Sequence, residues 1–322
     1  MEDATKKITR REALLVGAGV VGSLAALSSG TLPVLAQQTE VSTPTTAADD
    51  AEWKKVQEVF GVEGTIEPGD VLMISMGRED LHPSVRGIPL KPDFSFDTEI
   101  DFQHISGGAI VKYEFVLLDT EVNPVVDALF TQDLRPATTN INALHNHHLE
   151  LTPKIKYMHG TTIGNAVQIA KALRNALSHS GQPFVSSKPG KTGLPNKEIE
   201  QILGGMGMIS DSVLTVSVER QETFKEMDIV LKPAMQVEST IYFQAIGNGQ
   251  AATTGEITVL PSEADAVTRA FRRYGIYFTA LHNHELFIHP NAYYLHFFGT
   301  GDPLALARAV RAALNHTNSK YM

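Results

Sequence analysis

Cysteine is absent from all 322 residues. That excludes a disulfide framework, a thiolate metal site, a cysteine nucleophile and a lipid-modified N-terminal cysteine. Basic charge is scarce as well. Lys and Arg number 27 against 36 Asp and Glu, the formal net charge is −9, and no basic stripe is visible. This balance argues against nucleic acid as a partner. No long apolar run occurs either: the stretch from Ala13 to Leu27 is shorter than the ~20 residues that span a bilayer. The expectation is therefore no stable membrane span in the mature chain. Hydrophobic residues still make up 43% of the chain, enough for a substantial core in one large or two ordinary domains.

Residues 1–36 read as an export signal rather than part of the fold. Lys6, Lys7, Arg10 and Arg11 form a basic head, an Ala/Gly-rich apolar run follows, and Val34-Leu35-Ala36 resembles a cleavage site before Gln37. Thr9-Arg10-Arg11-Glu12-Ala13-Leu14 is similar to a twin-arginine signal, with Ala13 where Phe is common. The expectation is recognition by export machinery, cleavage after Ala36 and a periplasmic or extracellular mature protein. Residues 37–50 are polar and Thr-rich and read as a linker.

Two short motifs imitate nucleotide sites without their context. Gly17-Ala18-Gly19-Val20-Val21-Gly22 spells G-x-G-x-x-G inside the export signal, with no βαβ unit around it. Gly190-Lys191-Thr192 mimics the end of a phosphate loop, but the required earlier glycine is Val185.

The remainder is written twice. Lys91-Pro92, Phe102-Gln103 and Phe130 match Lys232-Pro233, Phe243-Gln244 and Phe271 at one constant spacing. A slightly shorter spacing then holds from Leu144/Leu281 to Leu177/Leu314. This is a tandem duplication with a period too long for a solenoid. It divides the chain into a first repeat, 51–177, an inter-repeat loop, 178–196, and a second repeat, 197–316. Each copy predicts a short helix (Glu52–Phe60; Lys197–Leu203), three strands, a helix, a histidine hairpin and a closing amphipathic helix. Asn165 and Asp302 suit the N-caps of the closing helices, and Pro303 suits the first turn. That order predicts an α+β fold, two homologous copies, each an antiparallel sheet with helices packed on one face.

The hairpins carry the chemistry. Residues 143–159 read ALHNHHLELTPKIKYMH and residues 280–296 read ALHNHELFIHPNAYYLH, and these windows hold eight of the twelve histidines. His145, His147 and His159 match His282, His284 and His296. On an unbroken strand, His145 and His147 share a face ~6.5–7 Å apart. A turn near Thr152-Pro153 would set His159 opposite His145 and Tyr157 opposite His147. Three neutral imidazoles with an open position form a catalytic zinc-type set that also suits copper, iron or nickel. Tyr157 and Tyr294 are then candidate oxyanion donors, and Asn146 and Asn283 candidate orienting groups. Glu150 falls on the opposite face. His148, Glu285, Thr152 and His289, where the copies differ, are assigned to the surroundings of the site or the surface. The competing reading is a buried, hydrogen-bonded histidine core.

Other groups weigh less. Glu99 and Asp101, with Asp97 before them, have no acidic counterparts at Thr240 and Tyr242 and read as a solvated face. Trp53, the one tryptophan, reads as a core anchor for the first helix. His147-His148-Leu149-Glu150 resembles the H-x-H-x-E strand of lysostaphin-like peptidases, but the required H-x-x-x-D fails at His82/Arg86 and at His104/Gly108.

The doubled A-L-H-N-H-[HE]-L…Y-x-H motif, with Gly164-Asn165 and Gly301-Asp302 opening the next helix, resembles the LppY/LpqO family, also known as domain of unknown function 1259. The likeness runs from about residue 51 to 316 and implies an exported bacterial envelope protein. The family's namesakes are lipoproteins, which a chain without cysteine cannot be. The family supplies no activity or catalytic residues. Three readings stay open at this point. One is a transition-metal protein, with zinc as first choice, acting as a hydrolase on an unknown small molecule or cell-envelope ligand. The second is a non-catalytic periplasmic binding or structural protein with core histidines. The third is a scaffold in which the copies pack about a pseudo-twofold axis.

Overall fold

The computed structural model describes residues 47–131 and 138–322. The export signal and residues 37–46 of the linker lie outside the described residues. The first copy runs α1 (Ala47–Phe60), β1 (Thr65–Glu67), β2 (Val71–Gly77), β3 (Ser84–Val85), β4 (Ile88–Pro89), β5 (Asp97–Ile105), β6 (Gly108–Leu118), α2 (Val122–Thr131), β7 (Thr138–His145), β8 (Leu151–Thr152), β9 (Ile155–Gly164) and α3 (Ala166–Leu177). The second repeats this order as α4 (Asn196–Leu203), β10 (Met206–Ser210), β11 (Val213–Val218), β12 (Lys225–Glu226), β13 (Ile229–Val230), β14 (Ser239–Gly247), β15 (Gln250–Val259), α5 (Ala264–Arg273), β16 (Tyr277–His282), β17 (Ile288–His289), β18 (Tyr293–Gly301) and α6 (Pro303–Leu314).

Each copy builds a six-stranded antiparallel sheet, in the orders β1-β2-β5-β6-β9-β7 and β10-β11-β14-β15-β18-β16. Short three-stranded sheets, β4-β3-β8 and β13-β12-β17, flank them. The α+β architecture with two equivalent copies is the one expected. Alternation along the strands explains the layering. Ile100, Phe102, Val111, Tyr113 and Phe115 point to one face of the first sheet and form a core with α1, α2 and α3. Ile241, Phe243, Ile257, Leu295 and Phe297 do the same beneath α4, α5 and α6. In α3, Ala166, Ile169, Ala170, Leu173, Ala176 and Leu177 recur at helical spacing and are buried. Asn165 and Asp302 cap α3 and α6, their side chains accepting from the backbone N–H of Gln168 and Ala305. Trp53 is buried, stacked on the His104 ring at 3.8 Å and edge-on to Phe102.

The faces without helices meet each other. Both copies belong to one compact unit, and reciprocal clasps join them. Gln103 of the first copy donates to the Val230 carbonyl and accepts from the Lys232 N–H. The equivalent Gln244 of the second donates to the Pro89 carbonyl and accepts from the Lys91 N–H. Matched pairs exchanged in both directions are the mark of a pseudo-twofold arrangement.

Candidate metal centre and its cavity

The histidine hairpins depart from the predicted register. Strand β7 pairs Ala143 with His159 and His145 with Tyr157, with an irregularity between Ile141 and Ala143. The second copy repeats this, pairing Ala280 with His296 and His282 with Tyr294, with the irregularity between Phe278 and Ala280. One extra residue, Asn142 or Thr279, interrupts the alternation. The strand also ends at His145 or His282, so His147 and His284 leave the ladder. Their rings fold back over the tyrosines, His147 on Tyr157 at 3.5 Å and His284 on Tyr294 at 3.6 Å between centroids. Strand parity alone therefore misplaced the H-x-H pair.

All six histidines nevertheless converge, from both copies at once. Rings of one copy stack on rings of the other: His145 on His282 at 3.4 Å, His159 on His284 at 3.7 Å and His147 on His296 at 3.9 Å. Two sets of four offer ligand nitrogens all within 4.8 Å of one another. One set is His145, His147, His159 and His284; the other is His282, His284, His296 and His147. Exchanging the copies converts one set into the other. Each holds the whole trio of one copy and one histidine of its neighbour, and His147 and His284 belong to both.

The surroundings make these imidazoles neutral. Burial, followed by repulsion from His282, lowers His145 to about 3, and burial lowers His282 to about 4. Burial also holds His147, His159, His284 and His296 well below the ordinary histidine value. Their nitrogens are short of partners. Both ring nitrogens of His145, His147, His159 and His284, and Nε2 of His282 and His296, make no hydrogen bond. A buried polar atom left unpaired costs about 1–3 kcal/mol, so these nitrogens call for a partner beyond the side chains around them. Neutral imidazoles with free lone pairs at this spacing fit a transition metal with bonds of ~2.0–2.1 Å. Histidine groups that can hold a metal ion are thus present, without the metal being specified.

Two carboxylates at the centre escaped sequence reasoning. Glu114 lies directly across the ladder from His159, and Glu256 directly across from His296. Glu114 Oε2 is 3.4 Å from His159 Nε2. Glu256 Oε2 is 3.6 Å from His284 Nε2 and 3.7 Å from His296 Nε2. These are approaches rather than ion pairs, because the same burial that keeps the imidazoles neutral raises Glu114 well above the usual carboxylate range and Glu256 to about 8. A cation at the nitrogens reverses both preferences. The available signal was a single acid in each of the two matched strands, β6 and β15.

Other predicted groups are engaged elsewhere. The Tyr157 hydroxyl donates to the Ser95 carbonyl at 3.0 Å, and the Tyr294 hydroxyl to the Glu285 carboxylate at 3.0 Å. Neither is a free oxyanion donor. Asn146 accepts from Lys156 Nζ, and Asn283 donates to the Glu285 carbonyl, so their side chains bond these groups rather than the histidine rings. Glu150 pairs with Arg86 at the surface. His148 and Glu285 are both buried. Glu285 forms an ion pair with Lys112 of the first copy, and neither side chain is more than 2% exposed.

A cavity of about 900 Å³ opens beside the histidines, with His147, His284 and His296 among its walls. One row crosses the first sheet from Ser75 through Glu99 and Glu114 to His159. The second sheet answers with Ser217, Thr240, Glu256 and His296. The acidic run of β5 is therefore not a solvated face. Asp101 is wholly buried and Glu99 and Asp97 are partly so, because the second copy covers that side of the sheet. Burial and like charge raise Asp97 to about 6, burial raises Asp101 to about 7, and burial raises Glu238 to about 7.

A duplicated sheet that joins two histidine trios in one interior is a tandem-repeat architecture, and the family model agrees with it. The chain belongs to the family described as Domain of Unknown Function (DUF1259), matched over residues 54–179 and again over 197–316. No curated protein matches the chain. Among solved structures, EtuB from Clostridium kluyveri is similar at 8% identity, covering 81% of this chain and 95% of its own, with a TM-score of 0.21. A superposition that poor carries no inference about fold or function.

Proposed function

We propose that this protein binds a transition metal, zinc first among the choices, in one centre built jointly by its two copies. The observation that carries this reading is the pair of overlapping histidine tetrads whose buried nitrogens lack hydrogen-bond partners. Copper, iron and nickel accept the same imidazoles. A bound metal supplies Lewis acidity and an acidified water ligand at neutral pH. Glu256, which touches both a histidine pair and the cavity, stands where a proton acceptor for hydrolysis belongs. The cavity beside the centre supports an equally specific second reading, a non-catalytic binding protein that uses the metal to hold its ligand.

The location belongs to the same proposal. The basic head, apolar run and Val34-Leu35-Ala36 of the N-terminus support export, cleavage after Ala36 and residence in the periplasm or outside the cell. Among the described residues, no helix is long and apolar enough to cross a membrane. The LppY/LpqO type of envelope protein is the closer affiliation proposed within the family.

Competition against a chromophoric chelator tests the centre. His147→Ala/His284→Ala cuts each tetrad to two histidines and lowers zinc affinity by more than about 100-fold, whereas His289→Ala, an exposed histidine, leaves it unchanged. Equal affinities for the parent and the double variant would refute the joint centre.

A further inference from the structure

The cavity has a character of its own. Ten carboxylic side chains line it against a single lysine, Lys188, whose side chain is 73% exposed and turned to Glu79. The acids are spread along both sheets: Glu67, Asp97 and Glu99 from the first copy, Glu219 and Glu238 from the second. Among the described residues, the groups spaced to hold one metal ion are the histidine tetrads, so these dispersed carboxylates do not form a chelate for one ion. Between them lie Ile66, Met73, Met206, Met208 and Tyr242, apolar surface for which a hydrated inorganic ion has no use. The volume, about 900 Å³, suits an organic molecule. At the inner end, His147 and His284, each 1% exposed, present ring nitrogens that make no hydrogen bond.

We propose that this cavity binds an organic polycation of the linear polyamine class, its ammonium groups spaced along the two carboxylate walls and its methylene segments lying on the methionines, isoleucine and tyrosine between them. Two or more positive charges joined by an aliphatic chain match acids held apart on opposite sheets, where a single charge satisfies only one wall. Field lines from the ionised acids of this cleft, between low-dielectric walls, concentrate such a ligand, and its ammonium groups favour ionisation of the acids that burial holds protonated. The proposal rests on the metal reading only for the inner end of the cavity; the acidic walls belong to the chain alone.

Calorimetric titration of the purified chain with spermidine tests this, run once on chelator-treated protein and once on zinc-loaded protein. Spermidine is expected to bind both forms, at least tenfold more tightly than butylamine and more tightly than magnesium at equal ionic strength. Asp97→Asn/Glu238→Gln removes one acid from each wall and weakens spermidine at least tenfold, with an unchanged circular dichroism spectrum confirming the fold. Should that variant unfold, Glu67→Gln/Glu219→Gln asks the same question from the outer end. Spermidine binding no better than butylamine or magnesium, or indifferent to both variants, overturns the proposal. Binding to the chelator-treated chain alongside failure of zinc to bind at all would sink the metal reading and leave this one standing.

Discussion

At the scale of single residues, His147 and His284 differ from the other four histidines because each serves both tetrads. The doubled motif made all six legible, since packing alone does not demand the same three histidines twice. Their burial among unpaired nitrogens was not legible, because it depends on which face the second copy covers. Glu114 and Glu256 sit opposite His159 and His296 in the ladders, a relation that needs strand pairing and so cannot be counted off a sequence. Their carboxylates tune the histidines they approach, and the loss of such a neighbour typically costs 10–100-fold in metal affinity. Glu256→Gln is accordingly expected to weaken zinc by about 10-fold or more in the chelator competition while thermal stability without metal stays the same or rises. A purely structural Glu256 would give the opposite pattern, lower stability and unaltered affinity.

Among the elements, helix ends were readable from local chemistry, as the Asn165 and Asp302 caps illustrate. The hairpins were not, because one inserted residue at Asn142 or Thr279 breaks the period of two on which the face assignment depended. Also hidden was a buried arginine at the end of β2 and its counterpart after β11. Arg78 binds Asp80, Glu121 and the Val116 carbonyl, and Arg220 binds Glu222, Glu263 and the Thr258 carbonyl. Each ties a strand end to the start of α2 or α5, and neither side chain is more than 1% exposed. Removing one partner of such a buried cluster strands the others, at a cost of about 3 kcal/mol. Arg78→Ala should show that loss in urea denaturation and Arg220→Ala should match it. A change below about 1 kcal/mol in both would mean that solvent replaces these bonds.

For the whole molecule, duplication was plain from the sequence, but not that the copies would face each other. The Gln103 and Gln244 clasps and the Lys112–Glu285 pair join residues remote in the chain, and no periodicity reveals them. This closure has a pH signature. Asp97, Asp101 and Glu238 keep their protons to about 6, about 7 and about 7, while the unfolded chain loses them near pH 4. The folded state therefore binds more protons across that window, and stability falls as pH rises through it. The six histidines, neutral when folded but half protonated at about pH 6.5 when unfolded, oppose this slope there and add none above about pH 7.5. Melting temperature of the metal-free chain is therefore expected to fall by about 2–5 °C between about pH 7.5 and 9, as Asp101, Glu238 and Glu256 (raised to about 8) lose their last protons. A flat or rising profile would show those carboxyls to be solvated.

Six histidines from two copies that make one metal centre should retain their ion in the mature protein purified, without added metal, from the host that exports it. At least about one equivalent of a transition metal per chain is predicted, lost in His147→Ala/His284→Ala. Less than about a tenth of an equivalent in the parent, with no difference in the double variant, would mean that the histidines hold no metal.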